Sequence, residues 1–355
     1  MSLIARLMGM VSQDIGIDLG TANTVVCTRR EGIKLNEPSV VAVRKGTDEV
    51  LMNGEAVGNV AKKMLDKVPG NIEAIRPMKS GVIDAFRPAE AMMAYFINKV
   101  NQRSWGIRPR VVVSIPMGIT GTQKRNVVQA CEHAGAREVY LIEQPMAAAL
   151  GAALPIGDAC ASMIVDIGGG TTDVAVISMS GCVAFRTLGV AGDNLNEAVI
   201  RHMKEHYDLL VGEQTAERIK IGIGSVWNMR DLDMQEMRLE VSGRSTITEL
   251  PARVDITSIE VREALLPEAM KIVDAIKDVL RRTPPELAAD LVDRGIVLAG
   301  GGAKLRGLNV LIERLVALPV RIDNEPLYSV ARGTAEVTKR FDELIDVLEY
   351  GGDIH

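Results

Sequence analysis

Apolar and polar positions alternate in two separate runs that read as β-hairpins. The first is Ile15-Gly16-Ile17-Asp18-Leu19, then Gly20-Thr21-Ala22-Asn23, then Thr24-Val25-Val26. The second is Met163-Ile164-Val165-Asp166-Ile167, then Gly168-Gly169-Gly170-Thr171-Thr172, then Asp173-Val174-Ala175-Val176. A short Gly/Thr turn between two β-rich runs predicts a hairpin. The two aspartates are 148 positions apart, which predicts a duplicated architecture with one hairpin in each half. Between the hairpins the pattern predicts a strand at 110–115, a polar helix around Gln123 to Ala134, a strand from Glu138 to Ile142 and an Ala-rich helix from Met146 to Ala153. A third glycine cluster, Gly300-Gly301-Gly302, follows the strand-like run Gly295 to Ala299 and precedes a helix. Strands alternating with helices predict α/β layers. The polar, β-like stretch from Glu236 to Val254 and the stretch from Lys34 to about Lys79 read as smaller inserted subdomains.

The chain has 355 residues, beyond the size at which one hydrophobic core keeps growing, so two domains are expected. Hydrophobic residues make up 47% and charged residues 25%, which excludes wholesale disorder. A net charge of −5 with only 4 Phe, 5 Tyr and 2 Trp argues against a nucleic-acid partner, which would want a basic face or stacking rings. Cys27, Cys131, Cys160 and Cys182 form no CxxC pair and are expected as reduced, buried thiols. His202 and His206 share a helix face by spacing, but no neighbouring ligand set completes a metal site.

No apolar run approaches the roughly 18 residues that span a bilayer. The first eleven residues nevertheless gather Leu3, Ile4, Leu7, Met8 and Val11 on one helix face. The residues alone fit either a helix docked on the body or an interfacial anchor, weak when single and effective when multiplied by oligomerisation.

Three Gly/Thr turns at strand ends suit one task. Glycine lets backbone N–H groups approach a phosphate without a Cβ in the way, and threonine hydroxyls add donors. Acidic residues beside such turns would repel phosphate unless a divalent cation lies between, so Asp18 and Asp166 read as ligands, direct or through water, for Mg²⁺. Neither GxxxxGK[ST] nor GxGxxG is present.

These residues resemble the phosphate and adenosine motifs of the actin, heat-shock chaperone and sugar-kinase superfamily, and within it most closely the MreB-type bacterial actins. Leu35-Asn36-Glu37-Pro38-Ser39-Val40-Val41-Ala42, Pro69-Gly70-Asn71-Ile72, Ala74-Ile75-Arg76-Pro77, Pro145-Met146-Ala147-Ala148-Ala149, Thr215 to Lys220, Pro284-Pro285-Glu286-Leu287 and Arg294-Gly295 extend the similarity over nearly the whole chain. The resemblance implies a duplicated actin-like (ribonuclease H-like) ATPase fold of α/β class, with two domains around a nucleotide cleft. Its domain IA would comprise 12–34, 80–148 and 330–350, with subdomain IB at 35–79. Domain IIA would comprise 149–184 and 256–329, with subdomain IIB at 185–255, and residues 1–11 would form the amphipathic segment.

The same resemblance implies ATP/ADP and Mg²⁺ as cofactors. Gly20, Thr21, Ala22 and Asn23, with Asp18, and Gly168, Gly169, Gly170 and Thr171 would hold the phosphates, while Glu217 and Lys220 would contact adenosine. Gly300, Gly301 and Gly302 would pass the base and α-phosphate. It also implies homopolymeric filaments of paired protofilaments on the inner face of the cytoplasmic membrane, acting with cell-wall synthesis and cell-shape membrane proteins to maintain rod shape. Trp105 and Ile107, between Arg103 and Arg108, coincide with the family's hydrophobic membrane loop; Trp flanked by cations suits a membrane interface.

Phosphoryl transfer needs an in-line water, a metal and donors for developing charge. The family's residue before Pro145 faces the γ-phosphate and is usually Glu; here it is Gln144, which orients water through its amide but cannot take its proton. Thr171 and Asp166 complete the expected catalytic set with Asp18. Asp173 stands where Glu is common, and Gly222 where an acidic residue is frequent. Three rivals share the fold. A chaperone ATPase would carry a substrate region where this chain has only a short tail. A small-molecule kinase would need a catalytic Asp at a substrate pocket, for which the sequence nominates none. A nucleotide-bound adaptor without turnover is kept open by Gln144.

Overall fold

The computed structural model describes residues 14–64, 70–101 and 108–354. It divides into two compact units, one of residues 1–159, 177–182 and 327–355, the other of 160–176 and 183–326.

The first unit is built on β1 (Ile15–Leu19), β2 (Asn23–Thr28), β3 (Gly32–Pro38), β8 (Arg110–Ile115) and β9 (Glu138–Glu143). With the short strand Glu349–Tyr350 they form a six-stranded sheet in the order Glu349–Tyr350, β9, β8, β1, β2, β3. Strands β1 and β2 are an antiparallel hairpin, Leu19 opposite Thr24, while β8 runs parallel to β1 with Ile15 opposite Val111. On β1, Ile15, Ile17 and Leu19 enter the core with Phe96, Val111, Val113 and Leu141, as period-2 alternation requires. Helices α2 (Phe86–Asn101) and α3 (Gly121–His133) contribute to that core. Thr120 caps α3 in a reciprocal box with Gln123, which sets its start.

Helix α4 spans Gln144–Gly151, two residues earlier than the apolar run suggests, because Pro145 in the first turn has no intrahelical N–H to lose. It packs backbone to backbone on α10 (Ser329–Lys339): a Cβ on Gly333 would lie 1.8 Å from the Ala147 carbonyl oxygen, and one on Gly151 1.8 Å from that of Ser329. A smaller subdomain is formed by β4 (Val41–Arg44), β5 (Ile72–Ile75) and the single-turn α1 (Asn59–Lys62) around Val40, Ala42, Ala56 and Ala61. Two short strands, β6 (Met78–Lys79) and β7 (Val82–Ile83), pair beside it in sequence.

The second unit repeats the plan. Strands β10 (Ser162–Ile167), β11 (Thr172–Ser178), β12 (Gly181–Leu188), β16 (Ile296–Ala299) and β17 (Val320–Ile322) form a five-stranded sheet ordered β12-β11-β10-β16-β17, of which only 177–182, the last residues of β11 and the first of β12 with their turn, group with the first unit. Every residue of β10 and β11 is buried. Helices α5 (Gly192–Tyr207), α6 (Glu213–Ile223) and the 25-residue α7 (Ser258–Arg282) pack on this core, with α8 (Pro285–Arg294) and α9 (Leu308–Val316) following. The β-like stretch becomes β14 (Arg238–Ser245) and β15 (Pro251–Thr257), an antiparallel pair extended by β13 (Leu209–Leu210).

None of the four cysteines is in a disulfide; Cys27 and Cys131 are buried as expected, whereas Cys160 and Cys182 are half-buried. Burial pushes the Cys27 thiol up to about 11 and Cys182 up to about 12, which keeps both protonated and unreactive. His202 on α5 is buried, its ring 4.3 Å from that of His206. Burial, then His206, lowers its pKa, against the opposing pull of Glu260, Glu263 and Glu205. A buried neutral imidazole with a lowered pKa favours folding above the ordinary range and loses that advantage as pH falls through about 6.5. The urea midpoint is therefore expected to drop between pH 7.5 and 5.5, and to drop less in His202→Gln; equal acid sensitivity in both proteins would refute this. Among the described residues, no group of three or more His, Cys, Asp or Glu side chains is placed to hold a metal ion by itself.

Candidate phosphate-binding turns

In the first unit, Gly20, Thr21 and Ala22 form the turn between β1 and β2, just past Asp18. The parallel register places Asp18 opposite Ser114 of β8, and the Ser114 hydroxyl donates to Asp18 Oδ1 at 3.1 Å. Burial raises the Asp18 carboxyl to about 6, only partly offset by that hydrogen bond. A carboxylate kept this costly as an anion is one that a cation would stabilise. Thr21 is buried, and its hydroxyl oxygen accepts the Gly81 N–H at 2.9 Å, which leaves its own O–H available as a donor. Asn23 is exposed. Gln144 is buried and opens α4 as its first residue; Glu143 occupies the cap position. Glu143 itself is raised by burial, against the pull of Lys124.

In the second unit the turn from Gly168 to Thr171 joins β10 to β11, closed by the Gly168 N–H donating to the Thr171 carbonyl at 2.9 Å. The start of α5 rests on it: Gly192 N–H donates to the Gly168 carbonyl at 3.1 Å and Asp193 N–H to that of Gly169 at 2.8 Å. Lys220 on α6 donates its ammonium to the Gly192 carbonyl at 2.9 Å, so it is linked to the same turn through one residue. Glu217 lies one helical turn before Lys220 on the same face and is half-buried. Asp166 is buried at the end of β10. Gly300 adopts φ +78°, and a Cβ there would lie 2.3 Å from the Ile167 carbonyl oxygen and 2.6 Å from Asp166 Oδ1. Gly302 similarly leaves no room beside the Ile167 side chain.

Each unit thus assembles its own set. Asp18, Ser114 and the Gly20–Asn23 turn meet in the first; Asp166, Gly168–Thr171, Gly300–Gly302 and Lys220 meet in the second. Ser114, Gly81 and Gly192 were not singled out by sequence. Ser114 carried a weak signal as the one hydroxyl in an otherwise apolar strand, whereas Gly81 and Gly192 are recognisable only through their hydrogen bonds. Leu3, Ile4, Leu7, Met8, Trp105 and Ile107 lie outside the described residues.

The family profile described as MreB/Mbl protein matches residues 12–346. The chain belongs to the MreB/Mbl family. It is 45% identical over 353 residues to the cell shape-determining protein MreB of Escherichia coli, covering 99% of each chain. Crystal structures of MreB5 of Spiroplasma citri, bound to AMPPNP or to ADP, superpose with a TM-score of 0.87 at 31% identity, covering 94% of this chain and 98% of that one. A MamK double helical filament shares the fold, with a TM-score of 0.74 at 22% identity over 92% of this chain and 99% of that one. The actin-like fold expected of MreB-type proteins is therefore the fold of this chain.

Proposed function

We propose that this MreB-family chain binds and hydrolyses ATP to control assembly into filaments held at the cytoplasmic face of the membrane, where they organise cell-wall synthesis. The observation that carries the reading is the pair of glycine turns, one per unit, each following a strand whose last residue but one is a half-buried or buried aspartate. The relative MreB5 bound to AMPPNP or ADP supports a nucleotide as the ligand.

Backbone N–H groups of Gly20 to Asn23 and of Gly169 and Gly170 hold phosphate oxygens, Gly168 shapes the second turn through its own hydrogen bond to Thr171, and the Thr21 and Thr171 hydroxyls add donors. The carboxylate oxygens of Asp18 and Asp166 are hard donors that fit Mg²⁺, directly or through water. When bound, the ion neutralises charge on the phosphates. Gln144 orients the attacking water through its amide, Thr171 is the candidate for a second donor to that water, and Glu217 and Lys220 bind the adenosine. With no carboxylate at 144 to accept a proton, turnover is expected to be slow.

Membrane attachment is supported by topology. The segments bearing Leu3 to Met8 and Trp105 to Ile107 precede β1 and β8 in sequence, and these two strands lie side by side and parallel with Ile15 opposite Val111, so they start at the same end of the sheet. No helix of the described residues is long and apolar enough to cross a membrane, so attachment is peripheral in this reading, with many weak anchors summed along a filament.

The test is sedimentation of the purified chain with ATP or ADP, with and without anionic liposomes, while phosphate release is recorded. ATP-dependent co-sedimentation is expected, lost on deleting residues 2–11 together with Trp105→Ala. Gln144→Ala should bind ADP normally yet release phosphate about tenfold more slowly. A soluble monomer in every condition, with nucleotide bound and no phosphate released, would favour the adaptor reading that Gln144 keeps open.

A further inference from the structure

The segment Leu35 to Ala42 lies outside both glycine turns, yet Ser39 within it is fully buried and heavily engaged. Its hydroxyl donates to the Gly20 carbonyl at 2.6 Å and lies 2.9 Å from Thr24 Oγ1. Its backbone N–H donates to the Ala22 carbonyl at 3.0 Å. One serine therefore fixes two carbonyls of the β1–β2 turn and touches Thr24, the second residue of β2.

The orientation of those carbonyls decides where the donors go. In a planar trans peptide the C=O of one residue and the N–H of the next point in opposite directions. With the Gly20 and Ala22 carbonyls both drawn towards Ser39, the N–H groups of Thr21 and Asn23 are turned to the far side of the turn. Two donors presented on one side of a tight turn make the kind of concavity that takes an anionic oxygen. Rotation of either peptide would replace a donor with a carbonyl oxygen and repel the anion.

Ser39 is itself held in place. Two residues earlier, Glu37 accepts the Asn59 N–H of α1 at 3.1 Å through Oε2 and the Lys99 ammonium of α2 at 2.6 Å through Oε1. The end of β3, directly before Ser39, is thus tied to two helices through Glu37, and Ser39 itself is tied to the turn.

We propose that Ser39 is a positioning residue for the phosphate turn of the first unit, acting through the Gly20 and Ala22 carbonyls to keep the Thr21 and Asn23 N–H groups facing phosphate. This rests on the nucleotide-binding reading above. It separates from a merely structural role because the effect is confined to ligands that carry phosphate.

The experiment is calorimetric titration of the full chain with Mg-ADP and with adenosine, for wild type, Ser39→Ala and Ser39→Cys, alongside thermal unfolding of each. Loss of a buried hydrogen bond that leaves a carbonyl unsatisfied corresponds to about a tenfold change in affinity. Ser39→Ala is expected to weaken ADP by about that factor and leave adenosine within about twofold. Cysteine fills the space but donates weakly, so Ser39→Cys should follow the alanine variant. Should the alanine variant fail to fold, the cysteine variant carries the test alone. Unchanged ADP affinity, an Ser39→Cys protein that matches wild type, or a parallel loss of ADP and adenosine would each overturn the proposal. Wild type that binds adenosine and ADP equally would overturn the phosphate-turn reading itself, and Ser39 with it.

Discussion

Gly300→Ala is expected to abolish Mg-nucleotide binding and to destabilise the second unit by about 3 kcal/mol. Two costs add. A non-glycine residue at φ +78° sits in the left-handed region, at roughly 1–2 kcal/mol. The new Cβ would then have to displace the Ile167 carbonyl oxygen at 2.3 Å and Asp166 Oδ1 at 2.6 Å. Neither atom can yield cheaply, because Ile167 ends the fully buried β10, which is paired in parallel register with β16, the strand leading into Gly300. The shift is therefore forced onto the Asp166 carboxylate and the Gly168 turn, the groups proposed above to hold the cation and phosphates. Gly189→Ala is the control, since a Cβ there meets nothing within 4 Å. Urea unfolding and ADP titration of both variants decide the matter: a Gly300→Ala protein as stable as Gly189→Ala, with wild-type ADP affinity, would show that the close approach carries neither stability nor binding.

The second large effect is a pH dependence written into Asp18. Its carboxyl is raised from the ordinary 3.8 to about 6 by burial, so near neutrality it is ionised at a cost, and below about pH 6 it is protonated. Cation binding needs the ionised form. Mg²⁺-dependent ADP affinity is therefore expected to be flat above pH 7 and to weaken by up to about tenfold per pH unit below about 6, as protons compete for the carboxylate. The folding sign is opposite. A carboxyl raised on folding disfavours the folded state as pH rises from 3.8 to 6, so Asp18→Asn without Mg²⁺ should be more stable than wild type at pH 7.5. The same variant should lose both the Mg²⁺ dependence and the acid fall-off, and should hydrolyse ATP about a hundredfold more slowly. Fluorescent-ADP titrations from pH 5.5 to 7.5 test this, and an unchanged acid fall-off in Asp18→Asn would assign it to another group.

Much of this molecule is local in origin. The β1–β2 and β10–β11 hairpins follow from alternation interrupted by Gly and Thr, because a strand's period and a turn's conformational demands are both expressed within ten residues. The start of α3 lies two residues before the expected Gln123, because Thr120 and Gln123 close a reciprocal capping box that the apolar pattern does not register. The start of α4 was displaced by two residues because Pro145, a stop signal in a helix interior, is tolerated in a first turn. Residue type and neighbourhood alone single out Asp18 and Asp166 as candidate cation ligands, a role they keep in the function proposed above.

What sequence could not supply is which distant groups complete each turn. Ser114 reaches Asp18 across a span of 96 residues, and only the parallel β1–β8 register brings them together. Ser39 meets the Gly20–Thr24 turn through three hydrogen bonds and Gly81 through one, and Gly192 and Asp193 meet Gly168 and Gly169 through one each, none of which leaves a periodic trace. The tight seams at Gly300 and at Gly333 are likewise properties of two segments at once. Local pattern determined the strands, the turns and the acidic residues placed beside them, because propensity and periodicity act between neighbours. Register and helix packing decided the protonation of Asp18 and the direction in which the first turn's donors point, because burial and peptide orientation are set by residues far away along the chain.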